Sequence, residues 1–145
     1  MTRKLLYVAV TLLIVVAGTA SPSYAGVSPS QKNATALIDH LYAAINTHNQ
    51  NATAALFTPD AIYYDGHATV GRDKISEAAA WSGGYHVKRI APVAVSGSYA
   101  TTFADETFML KPVLQVFHIK DGKINRYWEF VFGTTKPFDN VSFGS

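Results

Sequence analysis

Residues 113–132 read VLQVFHIKDGKINRYWEFVF. Two apolar runs meet at Asp121-Gly122. Asp-Gly between such runs is among the strongest short hairpin signals, because the turn needs positive φ and Gly supplies it without steric cost. The second run places Glu129 among Tyr127, Trp128, Phe130, Val131 and Phe132. A carboxylate in so apolar a strand is costly to bury unless it is paired or used. Glu129 is therefore the first candidate for function.

Upstream of the hairpin the chain continues as strands. Tyr85 to Val95 reads as a long strand interrupted by Pro92, which suits an edge or a bulge. Tyr99 to Phe103 alternates, and Thr107 to Lys120 leads into the turn. Before Ser82-Gly83-Gly84 the period is helical. Ser28 is a cap, Pro29 fits the first helical position and Gln31 completes a capping box. Ala34, Leu37, Ile38, Leu41, Tyr42 and Ile45 then form one apolar stripe. Asn49 caps a second, short helix through Phe57, which Thr58-Pro59 ends, since the residue before proline avoids the α region. Ala61 to Asp65 is a strand, 66–71 a loop, and Arg72 to Trp81 a third helix with Ile75, Ala78 and Ala79 inward. Helices followed by strands argue for an α+β domain, helices packed on one face of an antiparallel sheet.

The first residues have a different character. Arg3 and Lys4 precede thirteen mostly apolar residues, Leu5 to Ala17, and Ser23-Tyr24-Ala25 offers small residues where a signal peptidase reads. The run is short for a membrane span, which takes roughly 20 apolar residues. Residues 1–25 are thus expected to be a signal peptide, 26–133 the domain and 134–145 a tail. The mature protein would be secreted or periplasmic, with no membrane contact. Without Arg3 and Lys4, ten Lys/Arg balance ten Asp/Glu, so no basic surface points to nucleic acid. There is no cysteine, hence no disulfide and no thiolate nucleophile. The five histidines have no metal-site spacing, and no cofactor is expected. Sequons at Asn33, Asn51 and Asn140 are within chance for a chain so rich in Ser and Thr.

Three pieces carry a family resemblance: the first helix followed by Leu56-Phe57-Thr58-Pro59-Asp60-Ala61; Tyr63-Tyr64-Asp65 with Gly71-Arg72-Asp73-Lys74-Ile75; and Asp121-Gly122-Lys123-Ile124 leading to Tyr127-Trp128-Glu129. In this order they resemble the nuclear transport factor 2-like superfamily, and within it the SnoaL-like group, over residues 30–133. The resemblance implies a cone: a curved antiparallel sheet wrapped around helices with a pocket inside. It does not imply one activity, since such folds include isomerases, dehydratases, epoxide hydrolases, polyketide cyclases and proteins without chemistry.

Strand alternation puts Ala61, Tyr63 and Asp65 on one face, Val113, Gln115, Phe117 and Ile119 on another, and Asn125, Tyr127, Glu129 and Val131 on a third. The resemblance implies that these faces line the cone. By similarity, Asp65 stands where ketosteroid isomerases carry their base. Glu129 stands where epoxide hydrolases and SnoaL-like cyclases carry an aspartate. Asp65 and Glu129 are thus the candidate catalytic pair, each raising the other's pKa. Tyr63, Trp81, Gln115, Phe117 and Tyr127 are the candidate ligand-binding residues. The alternative is structural: Asp65 caps its turn, and Glu129 pairs with Arg126 or Lys88. The resemblance also exposes gaps. Leu41 and Gln115 fall where the isomerases place a tyrosine and an acid, and Phe103-Ala104-Asp105-Glu106 lacks the hydrolases' arginine.

The expected function is an exported protein that binds a small apolar molecule, with the incomplete catalytic sets favouring binding over turnover. The competing expectation is an isomerase, dehydratase, cyclase or hydrolase. An open cavity with uncompensated carboxylates would mark the enzyme; a filled cone or a bridging cation would mark the scaffold. The opposite face of the last strand, Ile124, Arg126, Trp128, Phe130 and Phe132, is too apolar for solvent. A homodimer is expected there, the alternative cover being the tail with Phe138 and Phe143. N-terminal sequencing of the exported protein is expected to give Gly26 as the first residue; a Met1 start in a membrane fraction would contradict secretion.

Overall fold

A computed structural model describes residues 28–131 apart from 82, 83, 108 and 110. The expected leader, the Gly26 start, Phe132, the tail with Phe138, Asn140 and Phe143, and the Trp81 side chain lie outside the described residues.

The first helix, α1, runs Pro29–Asn46 and is capped as expected by Ser28, whose Oγ accepts from the Gln31 amide at 3.1 Å. The Gln31 side chain does not complete a capping box. It donates to the Val93 carbonyl at 2.7 Å and ties the helix start to the segment after Pro92. The apolar stripe is buried, with Ile38 and Leu41 at 0% exposure. His48, at φ 51, lies beyond the helix end. Asn49 caps α2 (Gln50–Ala55), accepting from the Ala52 amide at 2.9 Å. This helix stops before Phe57. The Leu56 carbonyl accepts from the Ile124 amide at 2.8 Å, which draws Phe57 into the sheet instead.

The remaining elements are β1 (Phe57–Tyr64), β2 (Ala68–Val70), α3 (Arg72–Trp81), β3 (Val87–Arg89), β4 (Ala94–Ser96), β5 (Tyr99–Glu106), β6 (Val113–Lys120) and β7 (Lys123–Val131). The architecture is α+β, helices on a curved, unclosed sheet of order β2-β1-β7-β6-β5-β3, with β4 also on β5. Its pairs are antiparallel except β1–β7, which is parallel, so the sheet is mixed rather than wholly antiparallel. Between the Phe57–Ile124 and Ile62–Arg126 pairs, β1 carries more residues than β7. Pro59 sits in that irregularity, where a strand tolerates a missing N–H.

Several boundaries differ from expectation. The 66–71 loop contains the short β2, and Pro92 divides the expected 85–95 strand into β3 and β4. Thr107, Met109, Lys111 and Pro112 belong to no strand, whereas β5 continues three residues past Phe103. The hairpin turn is as read: Asp121 and Gly122 have φ 52 and 74, both positive, as the tight turn requires. Near it, the β6–β7 register jumps from His118–Arg126 to Ile119–Ile124, so Asn125 is the extra residue of a bulge. The bulge turns Ile124 into the core at 0% exposure, although simple alternation assigns it to the outer face.

The core joins α1 to the inner sheet through Ile38, Leu41, Ala100, Ala104 and Phe117. On the outer face, Trp128 is 2% exposed in the single chain. Its ring lies nearly parallel to Tyr64 (centroids 6.0 Å apart, 5°), with Tyr99 at 6.4 Å. The largest side chain of the expected dimer surface is therefore already covered within one chain. No helix among the described residues is long and apolar enough to cross a membrane. Trp128→Glu is expected to destabilise the fold by about 3 kcal/mol or more, because it buries an unpaired charge and removes a large apolar group. Urea melts of the variant and the wild type measure this; a fully stable Trp128→Glu monomer derived from a wild-type dimer would return Trp128 to the surface.

Candidate functional site

β1 and β7 bring their aromatic faces together. Tyr63 is the register partner of Tyr127, and their ring centroids are 4.9 Å apart. Phe117 of β6 stacks on the other side of Tyr127 at 4.6 Å and 13°. Two residues on from Tyr127, Glu129 points the same way by strand alternation. Tyr63 donates to Glu129 Oε2 at 2.5 Å, and Tyr127 donates to Oε1. From β6, buried Gln115 gives one amide group to two carboxylates: Nε2 lies 2.9 Å from Glu106 Oε1 and 3.2 Å from Glu129 Oε1. Its own carbonyl oxygen accepts from Tyr42 of α1.

This network faces a cavity of about 330 Å³ between the helices and the sheet. Leu41, Phe57 and Ile75 give it apolar walls; Tyr63, Tyr85 and the carboxylates give it a polar end; exposed Asp65 and Met109 lie at its rim. Among the described residues no Lys, Arg or His lines it. Neither cation considered for Glu129 reaches it. Arg126 donates to the Asn125 and Asp60 carbonyls, and exposed Lys88 is registered opposite Asp105.

The carboxylate that faces Glu129 is Glu106, not Asp65. Gln115 Nε2 bridges the two, and like charges this near each other favour keeping one proton on the pair. Burial pushes Glu129 up to about 8, and the Glu106 charge adds to that rise; hydrogen bonds from Tyr127 and Tyr63 oppose it. Glu106 is also raised by burial, with hydrogen bonds from Gln115 and Tyr85 pulling it partly back. The neighbouring phenols of Tyr42, Tyr63, Tyr85 and Tyr127 are all held protonated, first by burial and then by the Glu129 charge. Two carboxyl groups sharing a proton can accept one and return one, which is the requirement for acid–base work.

The sequence candidates therefore separate. Glu129, Tyr63 and Tyr127 meet at the cavity. Gln115 is fully buried behind it and bridges the carboxylates. Phe117 is also fully buried and backs Tyr127 rather than lining the cavity. Asp65 is exposed, and its Oδ1 accepts from the His67 amide at 3.2 Å, so it caps its turn while edging the cavity. His86 comes near His48 (ring centroids 6.2 Å), and the described residues hold no cluster of three potential metal ligands. Sequence reasoning missed Glu106. Its signal was available: Ala100, Thr102, Ala104 and Glu106 are the buried positions of one alternating strand, 5% exposed in the case of Glu106.

A family profile described as SnoaL-like domain matches residues 38–127. No curated protein matches the chain. Among solved structures, an LEH-like epoxide hydrolase of M. tuberculosis is similar at 17% identity, covering 70% of this chain and 84% of that one, with a TM-score of 0.61. A Sinorhizobium meliloti protein provisionally named a polyketide cyclase has 25% identity, 66% and 94% coverage and a TM-score of 0.58. A Methylobium petroleophilum protein of unknown function with a cystatin-like fold has 15% identity, 77% and 82% coverage and a TM-score of 0.62.

The raised Glu129 fixes the sign of a pH effect. In the unfolded chain this group ionises near 4.5; in the folded chain it keeps its proton to about 8. Between those values the folded state holds a proton that the unfolded state has lost. Its stabilising effect is complete below the lower value and lost as pH rises through the upper one, at no more than about 1.4 kcal/mol per pH unit for one proton. Thermal melts from about pH 5 to about pH 8.5 should show a falling Tm, and Glu129→Gln should flatten the decline. A wild-type Tm that rises over this interval would mean an ionised Glu129.

Proposed function

Because the chain belongs to the SnoaL-like domain family, whose profile spans more than half of it, and because that fold does not dictate a chemistry, we propose the function from the site: the cone binds a small, largely apolar molecule, and Glu129 with Glu106 transfers a proton to and from it. The observation that carries this reading is an open cavity with a proton-sharing carboxyl pair at its polar end and no compensating cation among the described lining residues. Structural acids would be expected beside a Lys or Arg; acids kept half-protonated by burial favour proton transfer. The reaction class is an isomerisation, dehydration, cyclisation or hydrolysis that turns on one proton.

Each group has a distinct part. Glu129, ionised, is the base; protonated, it returns the proton. Glu106 sets its proton affinity through charge. Tyr63 and Tyr127 orient its carboxylate, and Gln115 holds the two acids in register. Leu41, Phe57 and Ile75 exclude water from the ligand's apolar part, which strengthens the charge interactions at the polar end. Asp65 edges the entrance without joining the pair. Export of the mature domain completes the proposal, supported by the basic start and the apolar Leu5–Ala17 run. A binding protein without turnover is the second reading, favoured by the absence of a tyrosine at Leu41 and of an arginine in β5.

Proton abstraction has a readout that needs no known substrate. A panel of cyclic ketones incubated with the protein in D₂O should gain deuterium at the α-carbon, measured by mass spectrometry. Glu129→Gln should reduce the rate roughly 100-fold or more, the usual scale for removing a positioned base. Asp65→Asn should leave both the rate and the Tm nearly unchanged. Ketones that bind without deuterium uptake would leave the binding protein as the reading.

A further inference from the structure

The polar end of the cavity is rich in acceptors, while its donors are occupied. The hydroxyl protons of Tyr63 and Tyr127 go to Glu129. That of Tyr42 goes to Gln115, whose amide hydrogens go to Glu106 and Glu129. Tyr85 hydrogen-bonds Glu106. The Thr53 hydroxyl donates to the Asn49 carbonyl at 3.0 Å. What faces the empty space is therefore carboxylate oxygen, hydroxyl lone pairs and tyrosine rings. A carboxylate or phosphate entering here would meet like charge and no available donor among the described lining residues. Arg89, whose charge reaches Tyr42, is held by both oxygens of Asp39 at 2.9 and 3.0 Å.

Every feature of that end favours the opposite charge. Two acids sharing one proton carry a net negative charge, and Asp65 adds another at the rim. Aromatic rings attract cations through their faces. The apolar remainder of the cavity, Leu41, Phe57 and Ile75, suits an alkyl body.

We propose that the cone takes a small organic cation, an ammonium group on an apolar body, lodged against Glu106 and Glu129. The inference rests on the cone being a ligand site, as above, and adds the charge of the ligand. The cation takes the place of the shared proton, which leaves to solvent. Glu129 is then ionised, the form that acts as a base, so the ligand itself switches the pair into its reactive state. The groups around Glu129 come from every packed element: Tyr42 of α1, Tyr63 of β1, Tyr85 before β3, Glu106 of β5, Gln115 of β6 and Tyr127 of β7, with Asp65 past the end of β1 at the rim. None of them is cationic, so none substitutes for the ligand's charge.

Choline and its uncharged isostere 3,3-dimethylbutan-1-ol separate the possibilities, titrated calorimetrically into the full chain. Choline, whose charge does not depend on pH, should bind about tenfold tighter than the alcohol at pH of about 9, and about tenfold weaker at pH 6.5 than at pH 9, as the shared proton returns. Its binding heat should change with the buffer, reporting proton release. Glu129→Gln should weaken the preference for choline severalfold, since only Glu106 then remains at the polar end; if that variant does not fold, the wild-type pH dependence and buffer dependence decide. Equal or tighter binding of the alcohol would overturn the cation while leaving a neutral-ligand cone. Failure of both probes to bind would overturn the cation and count against the cone as a ligand site.

Discussion

Glu129 is a half-buried carboxyl group held at the cavity wall by hydrogen bonds from different strands, and the rest of the molecule is arranged around that constraint. Tyr63 comes from the first strand, Gln115 from the sixth and Tyr127 from its own. Burying the group unassisted would cost several kcal/mol. Here the cost is moderated by the donors and by a proton shared with Glu106, which leaves a residual negative charge instead of two. Gln115 is the keystone of that compromise. Its amide can serve both acids only because its carbonyl is fixed by Tyr42, which ties the position of α1 to the protonation of the sheet. Helix packing and site electrostatics are thus one problem solved by one set of side chains.

The elements legible in the sequence were those whose signals are local. The α1 stripe, the Asn49 cap and the Asp121-Gly122 turn each depend on neighbours within one or two turns of chain, and each took the form its residues dictate. The SnoaL-like assignment was legible as well, because it rests on three separated pieces in fixed order. What was not legible depends on partners distant in sequence. Phe57 looked helical until the amide of Ile124 claimed the Leu56 carbonyl. Ile124 looked exposed until the Asn125 bulge shifted the alternation by one. Gln31 had a local use at the helix start and a better one at Val93.

The site was legible in part for the same reason. Glu129, Tyr63 and Tyr127 stand out because alternation within single strands places them on one face. Pairing Glu129 with Asp65 followed the family resemblance, but Asp65 lies at the edge where β1 ends, and its carboxylate turns back to its own backbone. Glu106 was hidden by a strand end placed three residues early at Phe103, although the alternation of Ala100, Thr102 and Ala104 runs on into it. Which carboxyl group meets Glu129 is decided by the β5–β6–β7 register, in which Thr102 faces Gln115 and Gln115 faces Glu129. No short window of sequence contains that information.

The parallel pairing of β1 with β7 has a consequence for the order in which the molecule comes into being. Tyr63 and Tyr127 are registered partners although most of the domain lies between them. A nascent chain that has delivered β1 and β2 can pair β1 on one side only, with the three-residue β2; its other side waits for β7, and Tyr63 has no Glu129 to hold. The pocket's polar end stays incomplete until the last strand emerges, because β7 brings both Glu129 and its donor Tyr127 to Tyr63 and Gln115 already made. Long-range pairing of this kind makes folding slow relative to local structure formation. A shortened chain lacking β7 would lose the Glu129 carboxyl and the parallel seam at once, so half-built copies hold no part of the pocket's polar end that depends on Glu129.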